Sequence, residues 1–284
     1  MRAEFEEKEY EAHANSQLAE ESKLVYPPGQ VTEKVLGFDA SLGVGKENYF
    51  WEAADETYRS GTQIDEDWWE QLDESVDEKF PPFRYNLFVQ YKRPECMVKA
   101  SAREWGEWGE SYFRYRITEH QQDALENLEE NMGDEGVVYY ASPAFYEKKA
   151  LWESLEEQDL IERTNFAQPS KVTEHDVYTY SESGSGGIGF SDPEPVKSTP
   201  FETSLANLSA VEASGSNRDF LIRLGDQVHE AALSVNGEKF RSLYQEINEH
   251  LVPESIGSDI PTALTRVDAF RFLTDTTLLI GVAE

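Results

Sequence analysis

Three side chains have the types and spacing to act together on a phosphodiester: Asp39, and the pair Gln90 and Lys92. A phosphodiester is anionic and resists attack, so hydrolysis needs a bound divalent cation, an activated water and a positive group facing the charge that develops. A carboxylate and an amide carbonyl are hard oxygen donors of the kind Mg2+ or Mn2+ takes, and a lysine can orient the water or stabilise the transition state. Asp39 alternates with Leu36, Phe38, Ala40 and Leu42, and Gln90 and Lys92 alternate with Leu87, Val89 and Tyr91. Alternation of period two reads as a strand in each case. Asp39 then stands on the polar face of one strand, and Gln90 and Lys92 share the polar face of the next.

Other elements must hold those two strands. A helix is expected over 4–22, with Phe5, Ala12 and Ala19 among acids, stopped by Pro27-Pro28-Gly29. The strand over 31–42 turns at Gly43-Val44-Gly45, and residues 48–82, dense in acids with Arg59 as a base, read as a solvated insertion closed by Pro81-Pro82. The strand over 85–92 follows. In 112–117, Phe113, Tyr115 and Ile117 share one face and Arg114 and Arg116 the other. Thr118-x-x-Gln121 is a capping-box signature, which would occupy the Gln121 side chain. Ala124, Leu125, Leu128 and Met132 continue a helical stripe to Gly133, and Val137 to Ala141 reads as a strand covered on both faces. A helix near 147–157 and a strand at 177–180 come next. The implied division is an α/β domain over 1–165, a Gly/Ser/Pro-rich connection over 166–200, and a mainly helical extension over 201–284 with a terminal strand at 276–282.

Composition narrows the class. The chain has 284 residues, 39% of them hydrophobic and 12% aromatic, enough to bury a substantial core. No apolar run reaches the roughly 18 residues of a membrane span, and the first residues lack a signal peptide's apolar stretch, so a cytoplasmic protein is expected. The single cysteine, Cys96, excludes an internal disulfide and a cysteine-based zinc cluster. The five histidines have no metal-ligand spacing. A net charge of −31 points to a salt-adapted host, a halophilic archaeon, because at molar salt a Debye length of about 3 Å screens the self-repulsion. The rival is an acidic nucleic-acid mimic. Within this acidic chain, Phe83 to Ile117 is a cationic window: Arg84, Lys92, Arg93, Lys99, Arg103, Arg114 and Arg116 outnumber Glu95, Glu104, Glu107 and Glu110. Trp105, Trp108, Tyr112 and Tyr115 beside Arg103, Arg114 and Arg116 could stack bases while the arginines hold phosphates, although such aromatics more often form core or interface.

The ordered set of a helix, Gly37-Phe38-Asp39, Val89-Gln90-Tyr91-Lys92-Arg93, the helix over 118–132 and Tyr139-Tyr140-Ala141-Ser142-Pro143-Ala144-Phe145 resembles the PD-(D/E)xK nuclease superfamily, and the Mrr-type restriction endonucleases in particular. The likeness covers about the first half of the chain. It implies a restriction-endonuclease-like αβββαβ core and a divalent-metal-dependent nuclease acting on DNA, in restriction, repair or genome defence. Asp39 would ligate Mg2+ or Mn2+, Gln90 would add its carbonyl oxygen, and Lys92 would serve the water or the transition state. An acid of the first helix, Glu6 or Glu9, would complete the metal set, and Gln121 could reach the phosphate. Arg93, Arg103, Arg114, Arg116 and Trp105 would meet nucleic acid. The alternative is a non-catalytic protein of this fold, or an acidic DNA mimic, engaging a partner protein through its acidic surface or C-terminal helices. Taken singly, Asp39 reads first as a strand-end acid and Lys92 equally as an edge-strand lysine, while Glu6 and Glu9 read more readily as a solvated helix face than as ligands.

Overall fold

The computed structural model describes residues 1–21, 24–25, 76–78, 80–211, 215–251 and 259–282. Asp39, the expected strand over 31–42 and nearly all of the acidic insertion lie outside the described residues. What is described is a mixed α/β protein with two five-stranded sheets. In chain order its main elements are α1 (Glu7–Glu21), β1 (Leu24–Val25), β2 (Phe83–Tyr91), β3 (Glu95–Met97), α2 (Trp105–Trp108), β4 (Tyr112–Arg116), α3 (Glu119–Met132), β5 (Gly136–Pro143), α4 (Lys148–Glu157), β6 (Thr164–Ala167), β7 (Val177–Tyr180), β8 (Gly186–Phe190), β9 (Glu194–Lys197), α5 (Phe201–Ser209), α6 (Asn217–Ser234), α7 (Glu238–Leu251), α8 (Asp259–Thr274) and β10 (Thr277–Val282).

The first sheet runs β1-β10-β2-β5-β6. Its centre, β2, lies parallel to β5, with Asn86 opposite Gly136 and Tyr91 opposite Ala141, and antiparallel to β10, with Thr277 opposite Val89. A strand covered on both faces reads as a nearly continuous apolar run, and β2 and β5 do. Tyr85, Leu87, Val89 and Tyr91 pack into one core with Tyr10, Ala14 and Leu18 of α1, while Phe88 packs on the other face with Leu125, Leu128, Leu224, Leu264 and Phe270 of α3, α6 and α8. Of the expected Phe5, Ala12 and Ala19, Phe5 is buried in the same core as the Tyr10, Ala14 and Leu18 stripe by which α1 docks, whereas Ala12 is exposed and Ala19 only half-buried. α3 ends at Gly133, whose φ of 50° suits a residue without a Cβ.

Three expectations change. Among the described residues both edges of β2 are occupied, by β10 and β5, so its antiparallel neighbour is the C-terminal strand. The stretch 166–200 is no bare connection. It contains β7, β8 and β9, which join β3 and β4 in the second, antiparallel sheet, ordered β3-β4-β7-β8-β9. Its glycines serve close packing: a Cβ on Gly187 would stand 2.3 Å from the Thr179 carbonyl oxygen, and one on Gly189 2.1 Å from the His175 ring. Residues 201–284 are likewise no appendage, since α6 and α8 share one core with α3 and β2, and β10 lies inside the first sheet. Among the described residues no helix is long and apolar enough to cross a membrane.

Candidate active site at the end of the first sheet

The C-terminal end of β2, the start of β10 and the first turns of α1 and α3 converge at one end of the first sheet. Gln90, 1% exposed, projects from β2 on the Phe88 face, and its Nε2 donates to the Thr274 carbonyl oxygen at 2.5 Å. Its Oε1 meets no donor among the described residues. Two residues on, the half-buried Lys92 directs its Nζ to Gln121 Oε1 at 3.4 Å and over the Tyr140 ring, 5.4 Å from the centroid. Gln121 Nε2 donates in turn to the same Thr274 oxygen at 3.3 Å. The expected shared face of Gln90 and Lys92 is therefore real. The capping box is not: Thr118 caps α3 without a side-chain hydrogen bond, and the Gln121 side chain turns to Lys92 and Thr274 instead.

The acid that α1 brings here is Glu7. Arg93 fixes it: its backbone N–H donates to Glu7 Oε2 at 2.9 Å, while its guanidinium bonds the Ala3 carbonyl and Glu6 Oε2 at 2.6 Å. Glu6 is thus spent on Arg93 at the surface, and Glu9 turns to Lys148 of α4 at 3.0 Å. From the other side comes Asp275, between α8 and β10, with a φ of 55° and a carboxylate 2.6 Å from Lys8 Nζ. Burial pulls the Lys92 ammonium below the usual lysine range, against the opposing pull of Glu7 and Asp275. Burial also raises the Glu7 carboxyl, against the Arg93 N–H and the Lys92 charge, with Asp275 adding to the rise. Among the described residues Lys92 pairs with no carboxylate directly, so a half-buried ammonium, a raised carboxyl and an orphaned amide oxygen share one strand end.

These groups suit a hard cation. Mg2+ typically takes one or two carboxylates and keeps several waters, and Glu7, Asp275 and the Gln90 amide oxygen are donors of that kind. Among the described residues there is no group of three His, Cys, Asp or Glu side chains able to hold a metal by themselves. Any such ion would rely on the amide, on water and on substrate oxygens. A separate cavity of about 510 Å3 beside α3 is lined by Glu119, Asp123, Glu126 and Asp176 with His120 and His175, and among the described residues no lysine or arginine lines it.

The cationic window resolves into two fates. Arg114 is matched: its Nε bonds Glu95 at 2.9 Å and its Nη1 bonds Glu104 at 3.1 Å, with Glu104, 2% exposed, also accepting from Tyr112 Oη at 2.8 Å. Trp108 stacks on Tyr112, and Trp105 tilts against it. Arg103 and Arg116 are exposed. Comparison with family models, curated proteins and solved structures finds no match to this chain.

Two members of the convergence escaped sequence reasoning. Glu7 has a signal, for it lies three residues before Tyr10 and extends the Tyr10, Ala14 and Leu18 stripe that faces the sheet. Asp275 has none that is local, because its place depends on β10 returning from the far end of the chain to pair with β2.

Proposed function

We propose that the protein is a divalent-metal-dependent nuclease hydrolysing phosphodiester bonds of DNA, with its active site at the Lys92 end of β2. The observation that carries the reading is the convergence of Lys92, Gln90, Glu7 and Gln121 from three elements, with the Gln90 amide oxygen meeting no donor among the described residues. The arrangement of α1, β10, β2, α3 and β5, with β2 and β5 parallel across a helix and β10 antiparallel to β2, supports a restriction-endonuclease-like core of the PD-(D/E)xK kind. When bound, Mg2+ or Mn2+ would supply Lewis acidity and a more acidic water. Gln121 orients the Lys92 ammonium, and the low polarity around Lys92 strengthens its attraction for a phosphate oxygen. The first turn of α3 adds the partial positive charge of its free N–H groups. Arg103 and Arg116, exposed and with no carboxylate partner among the described residues, are the arginines of the window suited to meet a backbone.

A second reading is favoured by the net charge of −31: a non-catalytic protein of this fold, or an acidic DNA mimic, that engages a partner protein. The two separate in one assay. Purified protein in molar KCl should nick supercoiled DNA with Mg2+ or Mn2+, lose the activity to chelator and regain it with added metal. Absence of cleavage across metals and salt, with the protein folded, would leave the partner-binding reading.

A further inference from the structure

We infer that α3, residues 170–176 and β9 enclose a binding site for a small dipolar molecule, one that carries an ammonium group at one end and a phosphate at the other. None of Lys92, Gln90, Glu7 and Gln121 lines it, so it stands apart from the candidate active site and does not depend on the nuclease reading.

Three observations lead there. The first is a pair of cavities. One, of about 510 Å3, is lined by α3 and residues 173–176, and the other, of about 370 Å3, by residues of 170–175 and β9. Thr173 and His175 line both, so the two adjoin. Each lies within the roughly 300–1,000 Å3 of small-molecule sites. The second is the separation of charge between them. Glu119, Asp123, Glu126, Glu174 and Asp176 line the larger cavity, and among the described residues no lysine or arginine does. Asn236 occupies Asp123 and Gln122 occupies Glu126, whereas the side chains of Glu119, Glu174 and Asp176 have no partner among the described residues. The smaller cavity is lined by Lys171 and Lys197, with Glu194 as its one carboxylate among the described residues, and neither lysine forms an ion pair there. Walls of one sign concentrate the opposite charge, and lysine ammoniums hold phosphate as point charges. Opposite signs on adjoining walls therefore select a ligand that carries both. The third is His175 at the junction. Its ring lies against Gly189 of β8, where a Cβ would stand 2.1 Å from Cδ2, so the bare strand is its seat. Its Nδ1 is buried and meets no partner among the described residues. Buried polar atoms are normally hydrogen-bonded, and a ligand that spans the two cavities supplies the partner where they meet.

The probe is O-phosphoethanolamine, which carries both charges, with ethylamine and inorganic phosphate as its two halves. Full-length protein in molar KCl is titrated with each, and binding is read by ligand-observed nuclear magnetic resonance. O-Phosphoethanolamine should bind at least tenfold tighter than either half. Lys197 and Asp176 are exposed, so Lys197→Met and Asp176→Asn should keep the far-UV circular dichroism of the wild type while each weakens the probe at least tenfold. Glu153→Gln, on the exposed side of α4, is the control for losing one surface charge and should bind as the wild type does. A half that binds as tightly as the whole probe, or a loss confined to one of the two site variants, would overturn the two-ended site. Unchanged binding in both variants, or wild-type protein that binds none of the three, would overturn the inference altogether. The nuclease reading is judged separately, by cleavage.

Discussion

Arg114 and Lys92 lie in the same cationic window, yet their surroundings are opposite. Arg114 faces Glu95 and Glu104, Glu104 faces Tyr112, and every charge in the cluster meets a complement. Lys92 faces an amide at 3.4 Å and a ring, and the nearest carboxyls act on it without touching it. A closed network of buried charge stabilises a fold; an open one leaves attraction available for something that binds. The difference teaches that cationic residues close in sequence should be sorted by what they already hold before any is assigned to nucleic acid.

The largest expected effect breaks the closed cluster. Arg114→Ala leaves Glu104 buried without its partner and should cost about 3–5 kcal/mol of stability, measured by chemical denaturation in molar KCl. Replacing Glu104 by Gln in the same chain should recover most of that loss, since the stranded charge is its cause. At the open cluster, Gln90→Met removes an orphaned acceptor while Thr274 keeps the bond from Gln121. Stability should change by less than about 1 kcal/mol, whereas cleavage should fall about 10–100-fold, as for groups that tune a metal site.

The smallest effect sharpens the contrast with a carboxylate that is bonded yet mismatched. Glu129 accepts from Ser170 N at 2.8 Å, Ser170 Oγ and Gln168 Nε2, but burial still raises its carboxyl above the usual range. A raised folded-state value means that its contribution is fully present below the unfolded value and is lost as pH rises through the folded one. The stability of Glu129→Gln relative to wild type should therefore increase from mildly acid to neutral pH in thermal melts. A difference that shrinks as pH rises would mean that the three hydrogen bonds outweigh burial.

What could be read from the sequence divides along the same line. Local period and punctuation suffice for β2, β5 and α3, because the face of Gln90 and Lys92, the continuous apolar run at 137–141 and the stop at Gly133 are each set within a few residues. They fail where distant segments decide. The glycines of β8 read as flexible because the rings that cover them belong to Tyr178 and His175. The terminal strand is legible as a strand, while its place beside β2 is not, since nothing near 277–282 names its partner. The candidate site divides likewise: Gln90 and Lys92 are visible at one strand end, Gln121 is visible but assigned to a cap, and Asp275 reaches that strand end only through tertiary pairing.

The most direct test joins function and stability in one sample of Lys92→Met. An uncharged chain of similar length relieves the half-buried ammonium, so the melting midpoint in molar KCl should equal or exceed that of the wild type. The single-turnover rate of metal-dependent DNA cleavage should fall about 10²–10³-fold, as when one preorganised stabilising group is removed. Cleavage at the wild-type rate by a folded variant, or a lowered melting midpoint with activity lost only in proportion to unfolding, would contradict the assignment of Lys92 to an active site.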